Sequence, residues 1–391
     1  MKFTVKRTDL FRHLQKVQSV TERKSTLPIL QHVLIQAKMG GNGGSSGHLD
    51  LTATDSEVTV TTSCPADVAE PGSSTTNGRR LFEIARLLPD EEVSVILKES
   101  GGLGIRCRKS RFQMEVGSPD EFPRIPKIPS ADPIHFDFNT LKSMFRRVVF
   151  ATAGEDTRYV YSGLLMALKG DNLEMAATDG HRLSVVRAKA EAWQAGKGKT
   201  AAEEVQVIIP KKALVNLERF EADEDPVLNF WNEDNHLFFQ CGSWLMVTNT
   251  VEGNFAPYQK VVPTGSDKKF RVRTADMLEA VRRVSLMSGE KSSLMEVALR
   301  QGKLELSCRE AGLGEAREEM DVEYDGKPVR IGFNYGYVAD FISIVGSEAF
   351  QIDLKDPQAA GLFTPAEENP ALDFLYVVMP MQFPGSGEEK R

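Results

Sequence analysis

Apolar residues recur along the chain at two spacings, and the same order of spacings returns three times. Leu10, Phe11, Leu14 and Val17 fall at helical intervals, as do Leu141, Met144, Phe145, Val148 and Val149, and again Leu278, Val281 and Val284. Each set lays one apolar stripe along a helix. Asp9, Thr140 and Thr274 stand near the starts, where side-chain oxygens cap free backbone N–H groups. An alternating stretch then ends on a carboxylate: Leu49-Asp-Leu-Thr-Ala-Thr-Asp55, Leu173-Glu-Met-Ala-Ala-Thr-Asp179 and Leu304-Glu-Leu-Ser-Cys-Arg-Glu310. Alternation predicts half-buried strands. A second helix follows at about Arg79–Leu88, Lys211–Phe220 and Asn334–Ile344, and a closing strand at Phe112–Val116, Trp244–Thr248 and Leu375–Met379.

The period is about 130 residues, the size of a whole domain rather than of a solenoid unit. Phe122-Pro-Arg-Ile-Pro-Lys-Ile-Pro129 and Tyr258–Thr264 read as extended linkers between copies. The expected domains are 1–128, 129–263 and 264–391, with loops at Gly40–Gly47 and Trp193–Glu203 and a polar tail from about residue 384. Short turns make the strands antiparallel, so the expected class is α+β, three repeated domains with helices on one face of antiparallel sheets.

Composition adds bounds. The 391 residues are 41% hydrophobic and 26% charged, an ordinary globular balance with no membrane-length apolar run. The N-terminus alternates like a strand, without a signal-peptide core, so a cytoplasmic location is expected. Cys64, Cys107, Cys241 and Cys308 are scattered with no CxxC pair, which argues against a zinc site. Asp179 and His181 beside Gly180 suggest a metal-dependent phosphodiesterase as the alternative class. No HxH or HExxH spacing supports it, and an Asp-Gly turn explains the same residues. Gly198-Lys199-Thr200 lacks the first glycine of a P-loop, since Trp193 stands there. No catalytic residue, metal or cofactor is expected.

Net charge is −7, yet the helix faces opposite the apolar stripes are basic. Arg7, Arg12 and Lys16, then Arg23 and Lys24, belong to the first copy, Lys142, Arg146 and Arg147 to the second, and Arg282 and Arg283 to the third. The later helices add Arg79, Arg80, Arg86, Lys211, Lys212 and Arg219. Acidic residues crowd stretches read as loops, Glu221–Asp225, Glu315–Glu323 and Glu367–Asp373. One basic helix is usually a solvated face. The same bias in equivalent helices of an acidic chain points to a surface that contacts phosphates without reading sequence. A monomeric DNA-binding adaptor is the other non-enzymatic reading.

From Met1-Lys2-Phe3-Thr4-Val5 through Thr26-Leu27-Pro28-Ile29-Leu30, Ala177–Leu183 and Gly332-Phe333-Asn334 to Val377-Val378-Met379-Pro380-Met381, the chain resembles the DNA polymerase III beta subunit (beta sliding clamp) family over nearly its whole length. The resemblance implies a head-to-tail homodimer closing into a six-domain ring around double-stranded DNA, helices lining the pore. The DNA-facing set would be Lys24, Arg79, Arg80, Lys142, Arg146, Arg147, Arg158, Tyr159, Lys211, Lys212, Arg282 and Arg283. It implies a peptide groove between the second and third domains, from Tyr161, Thr178, Gly180, His181, Arg182, Leu183 and Val261 together with Asn334, Tyr337, Val377, Val378, Met379, Pro380 and Met381. Dimer contacts would join Ile84, Phe112 and Met114 to Leu286 and Met287. Implied partners are the replicative polymerase catalytic subunit, a clamp-loader ATPase complex, and other polymerases and repair proteins carrying a clamp-binding peptide. The chain departs from the family at Tyr161 and at Ala256-Pro257 within Phe255-Ala256-Pro257-Tyr258.

Overall fold

The computed structural model describes residues 1–21, 27–40, 46–99, 101–154, 159–189, 193–194, 204–221, 226–289, 292–367 and 371–383. Arg23, Lys24, Arg158, the side chain of Tyr159, most of the 40–47 and 193–203 loops and the 384–391 tail lie outside the described residues.

The repeat is a repeat of structure. The first copy runs β1 (Lys2–Lys6), α1 (Arg7–Gln18), β2 (His32–Met39), β3 (Ser46–Thr54), β4 (Val58–Glu70), β5 (Gly72–Asn77), α2 (Gly78–Leu87), β6 (Glu92–Lys98), β7 (Gly102–Cys107) and β8 (Ser110–Met114). The second runs β9 (Ile134–Asp137), α3 (Phe138–Val148), β10 (Gly163–Lys169), β11 (Asn172–Thr178), β12 (Arg182–Lys189), β13 (Trp193–Gln194), β14 (Val205–Pro210), α4 (Lys211–Arg219), β15 (Val227–Glu233), β16 (His236–Cys241) and β17 (Trp244–Asn249). The third runs β18 (Lys268–Arg273), α5 (Thr274–Ser285), β19 (Leu294–Arg300), β20 (Lys303–Glu310), β21 (Gly314–Asp321), β22 (Val329–Asn334), α6 (Tyr335–Ile344), β23 (Ala349–Leu354), β24 (Gly361–Pro365) and β25 (Asp373–Val378). Apart from the two-residue β13, the order of strands and helices is the same in each copy.

Each described α-helix leaves a strand without an intervening residue, which moves the caps from where they were expected. Asp9 lies in the first turn of α1, after an uncapped Lys6. At α3 the cap is Asp137, whose Oδ1 accepts the Thr140 N–H at 2.7 Å. Thr274 opens α5 and donates its hydroxyl to the Ser347 carbonyl at 2.7 Å. The stripes of α1 and α3 are buried apart from half-buried Phe11 and Val149, whereas α5 buries Met277, Ala280, Val281 and Val284, leaving Leu278 at its margin. Each fully buried Val, Leu, Phe or Met side chain contributes about 1.5–3 kcal/mol. Two stretches read as loops are otherwise. Glu315–Glu323 is mostly strand β21, and Trp193–Gln194 pairs with β9.

The chain divides into two compact units, Met1–Lys142 with Trp193–Thr200 and Lys212–Thr250, and Ser143–Ala192 with Ala201–Lys211 and Val251–Arg391. In the first unit one sheet runs β13-β9-β15-β16-β17-β4-β1-β6-β7-β8, with β3, β2 and β5 branching from β4. The seam between copies is β17 against β4, Trp244 opposite Thr62 through Thr248 opposite Val58. In the second unit an eight-stranded sheet runs β14-β10-β11-β12-β25-β24-β23-β18, and a four-stranded one runs β21-β20-β19-β22. Its seam is β12 against β25, Arg182 opposite Val378 through Arg187 opposite Asp373. Under β25 an aromatic cluster seats α6: the Phe341 ring lies 5.3–5.7 Å from those of Phe350, Phe363, Phe374 and Tyr376. No described helix is long and apolar enough to cross a membrane.

Candidate peptide groove and basic helix faces

Several residues of the expected groove lie at the second seam. Successive residues of a strand face opposite sides of its sheet. Leu183 and Val377 are partners across the seam and lie, buried, in an apolar cluster with Leu165, Val185, Val251, Phe255 and Tyr258. Arg182 and Val378 are the next partners and face the other side, toward α6. The expected set therefore wraps around the end of the seam rather than lying on one face. Val378 is fully buried, whereas Met379 is 40% and Val261 46% exposed.

A set of local hydrogen bonds holds that end together. Asp179 Oδ1 accepts the N–H groups of His181 at 2.9 Å and Arg182 at 3.1 Å. The Thr178 hydroxyl donates to the Arg182 carbonyl at 2.6 Å and accepts the Gly180 N–H at 3.1 Å. Gly180 has φ +92°, which a side chain would strain. Met379 donates its N–H to the His181 carbonyl at 2.9 Å, and Met381 donates to the Gly332 carbonyl at 2.8 Å. Asn334 caps α6, accepting the Gly336 N–H at 2.9 Å, and Tyr376 donates its hydroxyl to the Tyr337 carbonyl at 3.1 Å. Asp179 is thus occupied by its turn. Asp55 in the first copy does the same, accepting from Glu57 at 3.0 Å and Val58 at 2.8 Å.

Arg182 is the most heavily engaged of these residues. Its Nε donates to Asp179 Oδ2 at 3.0 Å, Nη1 to Asp340 Oδ2 at 2.5 Å and Nη2 to the Phe150 carbonyl at 2.6 Å. The guanidinium lies 4.3 Å from the Tyr337 ring centroid. Burial works against its charge, but Tyr376, Asp340 and Asp179 more than offset that and hold it charged. Sequence reading missed Asp340, which stands one turn beyond Tyr337 on α6; helical spacing alone places the two on one face.

The departures at Ala256 and Pro257 sit between two buried aromatic anchors, Phe255 and Tyr258. Tyr161 meets the Phe255 ring edge-on at 6.2 Å. Tyr258 donates its hydroxyl to Glu174, which also receives Arg187 Nε at 2.5 Å, and Arg187 Nη1 reaches Asp373 at 3.1 Å. Tyr258 is therefore a packed anchor rather than part of an open linker.

The basic residues divide by what they touch. In the first unit Arg79 and Arg80 are exposed at the start of α2 and pair with Glu83 at 3.4 and 3.2 Å. Lys142 donates to the Phe220 carbonyl at 2.6 Å. Lys212 pairs with buried Asp55 at 2.8 Å and with Glu57 at 3.1 Å. Arg7 donates to the carbonyls of Ala85, at 2.8 Å, and Arg86, so it binds the end of α2. In the second unit Arg146, Lys211 and Arg282 are exposed. Arg147 is half-buried and donates to the Ser143 carbonyl and hydroxyl at 3.1 and 2.5 Å. Arg283 pairs with Glu318 at 2.8 Å and Glu279 at 3.4 Å.

Of the expected dimer residues, Phe112 and Met114 lie on β8, Leu286 and Met287 directly follow α5, which packs against β21, and Ile84 lies on α2. Among the described residues β8 pairs only with β7, and β21 only with β20, so both are edges of their sheets. Phe112 on β8 is 41% exposed and Leu286, just past α5, 74%; Ile84, Met114 and Met287 are half-buried.

Three family models match the chain in succession: DNA polymerase III beta subunit, N-terminal domain over residues 1–126, central domain over 135–257, and C-terminal domain over 259–382. The beta sliding clamp of Pseudomonas aeruginosa is 31% identical over 383 residues, 98% of this chain and 100% of that one. That of Caulobacter vibrioides is 30% identical over 389 residues, with the same coverage. The crystal structure of the DNA polymerase III subunit beta from P. aeruginosa superposes with a TM-score of 0.89 at 30% identity, again over 98% and 100% of the chains.

Proposed function

The chain belongs to the DNA polymerase III beta subunit family, and from that premise we propose how its residues do the work of a sliding clamp. It is a non-catalytic processivity factor of DNA replication; the observation that carries this is the succession of three family domains along a chain whose strand and helix order repeats three times.

Two copies close head to tail into a ring of six domains. Closure pairs the free edge of β8 with that of β21 in the second copy at each of two junctions, which removes two unpaired edges per chain. Charge supports this pairing. Arg106, Arg108, Lys109 and Arg111 surround β8, while Glu315, Glu318, Glu319 and Asp321 line β21. Ile84, Phe112 and Met114 then meet Leu286 and Met287. The pore carries Arg79, Arg80, Arg146, Lys211, Arg282 and Arg283 toward double-stranded DNA, with Lys24, Lys142, Arg147, Arg158, Tyr159 and Lys212 completing the set. The exposed ion pairs among them are weak in water, so a phosphate can displace Glu83 or Glu318. A ring holds by enclosure, so affinity for short linear DNA is weak and falls with salt.

The seam of β12 and β25 takes a short peptide from the polymerase catalytic subunit, the clamp loader, or other polymerases and repair proteins. Met379 and Val261 supply exposed apolar walls, and Met adapts to aromatic or leucine anchors. The ring is opened by a clamp-loader ATPase and works in the cytoplasm.

The test of the groove is Met379→Ala with Met381→Ala, which abolishes binding of a partner peptide while sedimentation still shows a dimer; undiminished binding refutes the site. Sedimentation of the native chain also tests the ring. Species of 43.3 kDa alone at micromolar concentration count for a monomeric adaptor instead.

A further inference from the structure

The geometry points to Asp340 as a positioning residue of the peptide groove, acting through Arg182 on the first turn of α6. This inference rests on the groove reading above and adds to it a residue outside the set given there.

Arg182 begins a strand of the second repeat and Asp340 lies on a helix of the third. Their contact, Nη1 to Oδ2 at 2.5 Å, joins residues 158 apart in sequence. The same guanidinium reaches the 178–182 turn through Asp179 and the Phe150 carbonyl beyond α3. Tyr337, one turn before Asp340, covers its face at 4.3 Å. One planar cation therefore fixes three segments that border the groove: the turn carrying Thr178 and His181, the start of β12, and the turn of α6 carrying Asn334 and Tyr337. A guanidinium suits this because its donors diverge in one plane while its face stacks on an aromatic ring. The Arg182 side chain is only 10% exposed, whereas Asp340 is 48% exposed, so water or an incoming peptide competes for the carboxylate and not for the buried cation. Removing Asp340 leaves Arg182 held by Asp179 but removes the ion pair that ties the guanidinium to α6, so the first turn of α6 is positioned less firmly against the 178–182 turn.

The experiment uses the full chain and a fluorescein-labelled peptide with leucine and phenylalanine anchors, read by anisotropy. Asp340→Asn is expected to weaken binding about tenfold, with dimer sedimentation unchanged. Asp340→Glu, which keeps the charge, restores affinity to within about threefold of the native chain. In a double-mutant cycle with Tyr337→Ala the two losses are less than additive, because both act on one turn. Met379→Ala serves as the control for the groove itself. If Met379→Ala loses binding while Asp340→Asn binds like the native chain, the role of Asp340 is overturned and the groove stands. If Met379→Ala binds normally, the groove reading fails and this inference with it. Equal losses in Asp340→Asn and Asp340→Glu, tracking a fall in Tm, reduce Asp340 to a stabilising residue and overturn the proposal.

Discussion

A single carboxylate closes the strand–turn motif in the first two repeats, and its sequence signature is the Ala-Thr-Asp that ends each alternating stretch. The turn was legible because Asp followed by Gly or Ser is local chemistry. The partner of Arg182 was not, because Asp340 is far away in sequence and only folding brings it near. The shift of the α5 stripe from Leu278 to Met277 has a related cause: both positions satisfy helical spacing, and the neighbouring sheet decides which is buried. Two predictions belong to this scale. A Cβ at Gly332 would stand 2.7 Å from the Met381 carbonyl oxygen and 2.6 Å from Leu294 Cδ1. Gly332→Ala should therefore cost about 1–3 kcal/mol and displace Met381, seen as a lower Tm together with weaker peptide binding. His32 provides a pH test. Burial lowers its pKa from 6.5, with Glu121 opposing. Its neutral form is favoured by folding, so its contribution is full above 6.5 and is lost as pH falls through the lowered value. His32→Gln should flatten the fall of Tm between neutral pH and pH about 5; a slope parallel to the native chain would exclude His32 as a source of acid sensitivity.

Among the elements, strand and helix order followed from periodicity, while pairing did not. Nothing local in Trp244–Asn249 says that it lies against β4, or in Asp373–Val378 that it lies against β12, because ladder partners are chosen by the whole sheet. The acidic stretch from Glu315 was misread for the same reason: a charged edge strand has the composition of a loop, and its alternation shows only against β20. Edges also give the prediction at this scale. Phe112→Asp or Leu286→Asp places a carboxylate in the proposed dimer contact. Each should shift sedimentation toward the single chain while leaving Tm within a few degrees, since both side chains are substantially exposed. A dimer as stable as the native one would remove those two residues from the interface.

For the whole molecule the basic faces were legible as composition, but not which cations the fold leaves most exposed. Lys212 and Arg147 look like Lys211 and Arg146 in sequence; in the structure Lys212, though exposed, pairs with Asp55, and Arg147 is half-buried against Ser143 whereas Arg146 is exposed. Arg146→Glu should accordingly speed escape of the loaded protein from circular DNA more than Arg147→Glu, which should instead lower Tm. Equal effects on escape, measured by gel filtration of loaded circles, would refute this division.

The two seams set how far the molecule can be taken apart. β4 with β17 and β12 with β25 are continuous ladders joining residues of neighbouring repeats, so the unit that recurs in the sequence is not a unit that stands by itself. Excising residues 129–263 would cut both ladders and leave two raw strand borders, each able to recruit another chain. The repeats have become interdependent parts of one object, and shortening or shuffling the chain at its most obvious boundaries should yield aggregate rather than a smaller working protein.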